Sequence, residues 1–242
     1  MDNVIEIKEL KKSFGSNEVL KGISLDLKRG ENLALLGKSG TGKSVLIKCV
    51  VQLVKADSGT IKVLDRNLTE LNKNEIDELR KKVGYLFQGG ALYDSMTVRE
   101  NLEFPVRRTQ KDKTKSEIND MVMEALESVG LTKAVDKMPA ELSGGMKKRI
   151  GLARTIILKP EIILYDEPTT GLDPVTSGEI SDLMLHIQEK FNTSSIIVTH
   201  DMKCVKMTAN NIKLLAGGKF YAEGTFDELS NSDDEKIKGY FN

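Results

Sequence analysis

Tryptophan is absent from this chain of 242 residues, all aromatics together make up only 5%, and there are two cysteines and five prolines. Cys49 and Cys204 lie far apart with no metal-ligand spacing around them, which excludes a disulfide framework and suits a reducing compartment. An excess of charge of one sign is also missing. The 36 basic and 36 acidic residues cancel, which argues against a polybasic nucleic-acid binder while leaving room for a local patch. No apolar run approaches the roughly 20 residues needed to cross a bilayer. Met1-Asp2-Asn3-Val4 has neither the basic segment nor the apolar core of a signal peptide, so the chain is expected to be soluble, with any membrane part supplied by a partner. Internal repeats and low-complexity tracts are absent too, and the length suffices for a real hydrophobic core in one or two domains.

What is present is an alternation of strand-like and helix-like stretches, the pattern of an α/β fold. Leu20 precedes a period-2 run, Ile23-Ser24-Leu25-Asp26-Leu27, which reads as a half-buried strand. Leu33 to Leu36 is a short apolar strand, and Val45, Leu46, Cys49, Val50 and Leu53 then recur at helical spacing. Thr60 to Leu64 reads as another strand, and Ile162 to Tyr165 and Ser195 to Thr199 as central parallel strands. Ile212 to Leu215 and Lys219 to Ala222 flank Ala216-Gly217-Gly218, a hairpin signal.

Between Gln88 and Lys159 the pattern is mainly helical. Thr114 and Glu117 form a capping box ahead of Ile118, Val122, Ala125 and Leu126, and Gly130 stops that helix. A second helix is expected from Gly144 to Leu158, ending before Pro160. The basic stretch Arg107 to Lys115 reads as a solvated loop, with contact to a partner or to lipid headgroups as the alternative.

The chemistry begins at Gly37-Lys38-Ser39-Gly40-Thr41-Gly42-Lys43-Ser44, a Walker A pattern lying after a strand and opening a helix. Small residues let the backbone wrap a phosphate and turn its amides inward, and the helix N-terminus adds positive potential. Lys43 is placed for the β- and γ-phosphates and Ser44 for Mg²⁺; a glycine loop serving only a turn is the alternative. Asp166 and Glu167 directly follow Ile162 to Tyr165, where buried carboxylates are costly without a ligand. Asp166 fits a second Mg²⁺ anchor and Glu167 a group that orients or deprotonates water; an acidic N-cap region for the next helix is the other reading. His200 ends its strand as a γ-phosphate contact or a structural histidine, His186 is assigned no chemistry, and Asp173 before Pro174 reads as a helix cap.

These residues resemble the ATP-binding-cassette ATPases over nearly the whole chain. Leu142-Ser143-Gly144-Gly145-Met146 is similar to the family signature, Gln88 to the Q-loop glutamine, Gly171-Leu172-Asp173 to the D-loop, and Phe14 stands where the family stacks adenine. The resemblance implies a RecA-like P-loop NTPase core with an N-terminal antiparallel β part and an inserted helical subdomain. Residues 1–87 and 160–230 would form the core, 88–159 the helical and signature subdomain, and 231–242 a tail that crosses to another subunit, binds an accessory protein or packs locally. It also implies MgATP hydrolysis in a head-to-tail dimer. Glu167, His200, Lys43 and Gln88 would be the catalytic set, Ser44, Gln88 and Asp166 would hold Mg²⁺, and Phe14 and Gly37 to Ser44 would bind ATP. Ser143, Gly144 and Gly145 would complete the partner's site, although Gly144-Gly145 alone would read as a flexible helix start.

Within the family, the block Leu86 to Val98 and on to Arg107, with Met146 in the signature, is most similar to the Mla-type phospholipid-transport and organic-solvent-tolerance branch. That resemblance implies an integral membrane permease, an MCE-domain lipid-binding protein and a small accessory subunit as candidate partners, at the cytoplasmic face of the inner membrane, with no nucleic acid. Ala91, Leu92, Tyr93 and Met96 would form a groove for the permease's coupling helix, or else lie in the core. A transporter ATPase for another substrate is the nearest rival; a soluble relative acting on DNA or ribosomes, and a non-catalytic scaffold, stand further off.

Overall fold

The computed structural model describes residues 2–241. In chain order they form β1 (Asn3–Phe14), β2 (Asn17–Lys28), β3 (Asn32–Leu36), α1 (Lys43–Val50), β4 (Ser58–Val63), β5 (Arg66–Asn67), α2 (Lys73–Lys81) and β6 (Val83–Leu86). Helices α3 (Val98–Thr109), α4 (Lys115–Ser128) and α5 (Gly144–Ile156) follow, then β7 (Ile162–Asp166), α6 (Pro174–Phe191), β8 (Ser194–Val198) and α7 (Met202–Thr208). The hairpin β9 (Asn211–Ala216) and β10 (Lys219–Gly224) precedes α8 (Phe226–Ser230) and α9 (Glu235–Phe241).

Two sheets divide these strands. One is antiparallel, in the order β2-β1-β4-β5; the other runs β10-β9-β3-β8-β7-β6, parallel except at the β9–β10 hairpin. The sequence patterns differ accordingly. The strands β3, β7 and β8 are buried along their whole length because one face packs against α1 and the antiparallel sheet and the other against α5, α6 and α7, hence their unbroken apolar runs. By contrast β2 alternates, and Leu20 and Ile23 are both buried although three residues apart because the register shifts between their pairings with β1.

Helices α3, α4 and α5 enclose a separate apolar cluster around Val98, Leu102, Val106, Val122, Leu126 and Ile150. Part of the expected basic loop is helical instead: α3 reaches Thr109. Thr97 and Glu100 form a capping box, and Val98, Leu102 and Val106 recur at i, i+4, i+8, so burial of that stripe carries Arg107 and Arg108 into the last turn. Helix α5 ends at Ile156, two residues before the expected Leu158. The C-terminal tail packs locally, with Ile237 buried beside Leu36, Ile212 and Leu214 and with Phe241 edge-on to Phe226. No described helix is long and apolar enough to cross a membrane.

Candidate nucleotide site

The parallel sheet brings the ends of β3, β7 and β8 side by side, and the loops beyond them meet. After β3 the chain wraps tightly. A Cβ on Gly37 would stand 2.5 Å from the Leu215 carbonyl oxygen, and one on Gly42 2.7 Å from Val19 Cγ1, so neighbouring backbone and side chains enforce glycine at both positions. Helix α1 opens at Gly42 with no side-chain cap and no acidic residue in its first turn. Its leading amides are thus left to an anion, with the helix dipole behind them.

Lys43 is only 7% exposed, and its Nζ donates to the carbonyls of Gly37 (2.7 Å) and Lys38 (3.1 Å). Burial lowers its pKa, an effect opposed by the charges of Glu167 and Asp166. The last residue of β7, Asp166, accepts from Ser44 Oγ at 2.6 Å and from Tyr85 Oη at 2.8 Å. Burial first, and the Asp166 charge second, raise the Tyr85 pKa far above its usual range, which keeps that phenol a donor.

Glu167 adopts a left-handed backbone (φ 53°), unusual for a non-glycine residue, and its amide donates to the Val198 carbonyl at 2.8 Å. Its Oε2 lies 2.8 Å from His200 Nδ1 and accepts from Thr170 Oγ1 at 2.9 Å. Neither carboxylate caps the following helix; that role falls to Asp173, which accepts from the amides of Val175 and Thr176.

One cavity of 1190 Å³ gathers Phe14, Gly37 to Ser44, Gln88, Glu167 and His200. Phe14 is 50% exposed, with Lys12 Nζ over its ring at 5.2 Å. Asp166 sits beside the cavity, bonded to Ser44. Ser143, Gly144 and Gly145 do not line it. Ser143 caps α5 by accepting from the Met146 amide at 3.2 Å. Gly145 has a packing role that the sequence does not reveal, since a Cβ there would meet Thr176 Cγ2 at 2.6 Å. His186 lies exposed on α6, and both cysteines are free and buried.

The described residues include no cluster of three or more His, Cys, Asp or Glu able to hold a metal. One hydroxyl and one carboxylate are what Mg²⁺ takes when substrate phosphates and water supply the rest, so Ser44 and Asp166 fit that ion. Sequence reasoning passed over Tyr85, Thr170 and Lys148. Parallel pairing of β6 with β7 is what sets Tyr85 beside Asp166, and a sequence signals that pairing only once strand order is known. The cavity's far wall is also unexpected: Tyr221 and, from α9, Glu235, Lys236, Gly239 and Tyr240.

A family described as ABC transporter matches residues 20–170. The chain belongs to that family. It is 40% identical over its full length to the "Probable ribonucleotide transport ATP-binding protein mkl" of Mycobacterium leprae, of which it spans 70%. It is 38% identical over 97% of its length to the methionine import ATP-binding protein MetN of Clostridium tetani, spanning 73% of that protein. Over 97% of its length it is also 37% identical to the intermembrane phospholipid transport system ATP-binding protein MlaF of Haemophilus influenzae, spanning 89% of it. The ATP-binding cassette MJ0796, in a dimeric post-hydrolysis state bound to ADP and Pi, superposes with a TM-score of 0.83 at 28% identity, covering 92% of this chain and 98% of that one. The molecule is therefore an ATP-hydrolysing ABC transporter subunit with the family's RecA-like P-loop core, and ATP with Mg²⁺ is what this family uses.

Proposed function

We propose that this ABC ATPase works as a head-to-tail pair at the cytoplasmic face of a bacterial inner membrane, driving phospholipid transport. The observation that carries the hydrolytic part is the Ser44–Asp166 contact lying directly beside the Glu167–His200 pair. Gly37 to Ser44 cradle the triphosphate, with Lys43 as a point charge, and Phe14 offers a face to the base. Ser44, Asp166 and Gln88 hold Mg²⁺, which when bound neutralises charge on the transferring phosphoryl. Glu167, oriented by His200 and Thr170, accepts a proton from the attacking water. Ser143 and Gly144, remote from their own chain's cavity, close over the nucleotide of the second copy.

A groove of 440 Å³ beneath the helical lobe suits a permease helix. Tyr85, Phe87, Ala91, Tyr93 and Phe104 line it, whereas Leu92 turns into the apolar cluster of the helical lobe and Met96 is not among the lining residues. Half of the expected four-residue groove is thus replaced by aromatics from β6 and α3. Arg154 lies under Tyr93, 5.7 Å from its ring centroid, and donates to the Gly90 carbonyl at 3.1 Å. Its pKa is lowered by burial, and no carboxylate lines the groove. A docking helix bearing an acidic residue among apolar ones therefore fits. The Leu86 to Arg107 block and the likeness to MlaF support a lipid cargo with an MCE-domain protein and an accessory subunit.

The Glu167→Gln variant tests both parts. It should keep ATP affinity, lose turnover by roughly 10²- to 10⁴-fold and persist as a closed dimer. Isolated from membranes with its bound subunits, it should bring a permease, an MCE-domain protein and phospholipid. Near-normal turnover removes Glu167 from its role, and a permease accompanied by another class of substrate-binding protein removes the lipid.

A further inference from the structure

Lys148 is 5% exposed, and no described carboxylate lies within ion-pair distance of its Nζ. A buried ammonium needs compensation, because burial disfavours the charge. Here the compensation is two main-chain carbonyls: Nζ donates to that of Gln88 and, at 3.0 Å, to that of Glu167. Burial lowers the Lys148 pKa, and the charges of Glu167 and Asp166 oppose that shift.

The position of Lys148 in α5 gives the contact its meaning. Ser143 caps this helix, so Lys148 stands little more than one turn behind the glycines of the signature. Lys148, Gly151 and Thr155 share one face at i, i+3, i+7, and that face lies along the end of β6 and the segment after it. A Cβ on Gly151 would meet Gly90 Cα at 3.0 Å, and one on Gly84 would meet Thr155 Cγ2 at 2.6 Å, so helix and segment are in direct contact with little room to slip. Glu167, meanwhile, is held at every other point: its amide by Val198, its carboxylate by His200 and Thr170. Its carbonyl accepts from Lys148 Nζ at 3.0 Å and, at the longer distance of 3.4 Å, from the Thr170 amide, so Lys148 is the one side chain that holds it, at a residue whose left-handed backbone is otherwise disfavoured.

We propose that Lys148 is a positioning residue for hydrolysis. It fixes Glu167 and Gln88 through their main chains and couples both to the seating of the α5 N-terminus. The inference rests on the reading of Glu167 as the water-activating group and goes beyond it: a displacement of Ser143 to Gly145 by the partner's nucleotide reaches the same chain's own Glu167 through one side chain. A tetrahedral ammonium suits the task because its three donors diverge toward separate acceptors, which a planar or apolar replacement does not reproduce.

The test compares full-length wild type, Lys148→Met, Lys148→Gln and, in parallel, Glu167→Gln. It measures kcat and KM for MgATP and the affinity for a fluorescent ADP analogue. Lys148→Met should lose kcat roughly 10- to 100-fold while KM and ADP affinity stay within about threefold. Lys148→Gln, which retains one donor, should fall between Met and wild type. A role in packing alone predicts the reverse order, since methionine fills the site without burying a polar group. Wild-type kcat in the Met variant, or Met at or above Gln, overturns the proposal. If the Met variant fails to bind ADP, the Gln variant decides: a loss of kcat at constant KM supports the proposal and wild-type kcat refutes it. Full turnover in Glu167→Gln would instead refute the underlying reading of Glu167, and with it the route proposed here. A dead Glu167→Gln beside a fully active Lys148→Met refutes Lys148 alone.

Discussion

Helices α1 and α5 both open on glycine with no acidic residue in the first turn, yet they are finished differently. At α1 no side chain caps the end; the helix's own Lys43 folds back onto the loop, and two carboxylates, a histidine and a glutamine from other elements converge there. At α5 the Ser143 hydroxyl caps the end, and this chain's cavity does not include it. One anion site has its lysine, carboxylates and histidine within the chain; the other has its donors but lacks such groups. The difference teaches that a glycine-opened helix is only half of a hydrolytic site; for α5 the other half is what the proposed head-to-tail pair would supply.

Three substitutions break or sharpen this contrast, the largest effect first. Ser143→Arg should leave nucleotide binding by α1 unchanged yet lower ATPase turnover by about 10²-fold or more, through loss of an aligned donor and the steric block. Gel filtration with non-hydrolysable ATP checks it, and a stable ATP-dependent dimer would show that α5 is not needed for closure. Gly145→Val should destabilise the fold by about 1–3 kcal/mol through overpacking. The Thr176 methyl it meets cannot swing away, because Thr176 Oγ1 is bonded to Asp173 at 2.6 Å. Urea denaturation measures this, with Gly144→Ala as the control: its nearest neighbour is 3.8 Å away, so stability should hold. Phe14→Ala should weaken ATP binding by about 1 kcal/mol, the lower end for base stacking on an aromatic ring, and an unchanged titration would place the base elsewhere.

Legibility followed the kind of force that shapes each segment. Buried parallel strands such as Ile162 to Tyr165 are visible because continuous apolar residues are their only solution. The phosphate loop is visible because close backbone approach admits few residue types. Among the elements that escaped, two did so for opposite reasons. In β1 the alternation breaks where the register shifts between Ile7 and Leu10, and lysines crowd its second half. Helix α2 buries only Leu79, although its Asn72–Glu75 capping box was there to be read. At the site, the residue types on the loops announced themselves. Their supports did not: Tyr85 and Lys148 act through sheet pairing and helix docking, which bring residues 19 to 81 positions apart into hydrogen-bond range, and Thr170 acts through a turn that returns it to Glu167 three positions earlier. The expected trans role of Gly145 now shares its explanation with a packing requirement, and only the variants above separate the two.

Helix α9 walls the same cavity as the phosphate loop, so its last described residue, Phe241, lies one position beyond the wall residue Tyr240. A reporter dye attached to an exposed position of this helix is delivered to the rim of the nucleotide compartment. The start of β1 behaves differently, because Asn3 and Phe14 are the two ends of a 12-residue strand, roughly 35 Å apart if fully extended. Labels for watching nucleotide entry belong on α9, and handles meant to leave the enzyme undisturbed belong near Asn3.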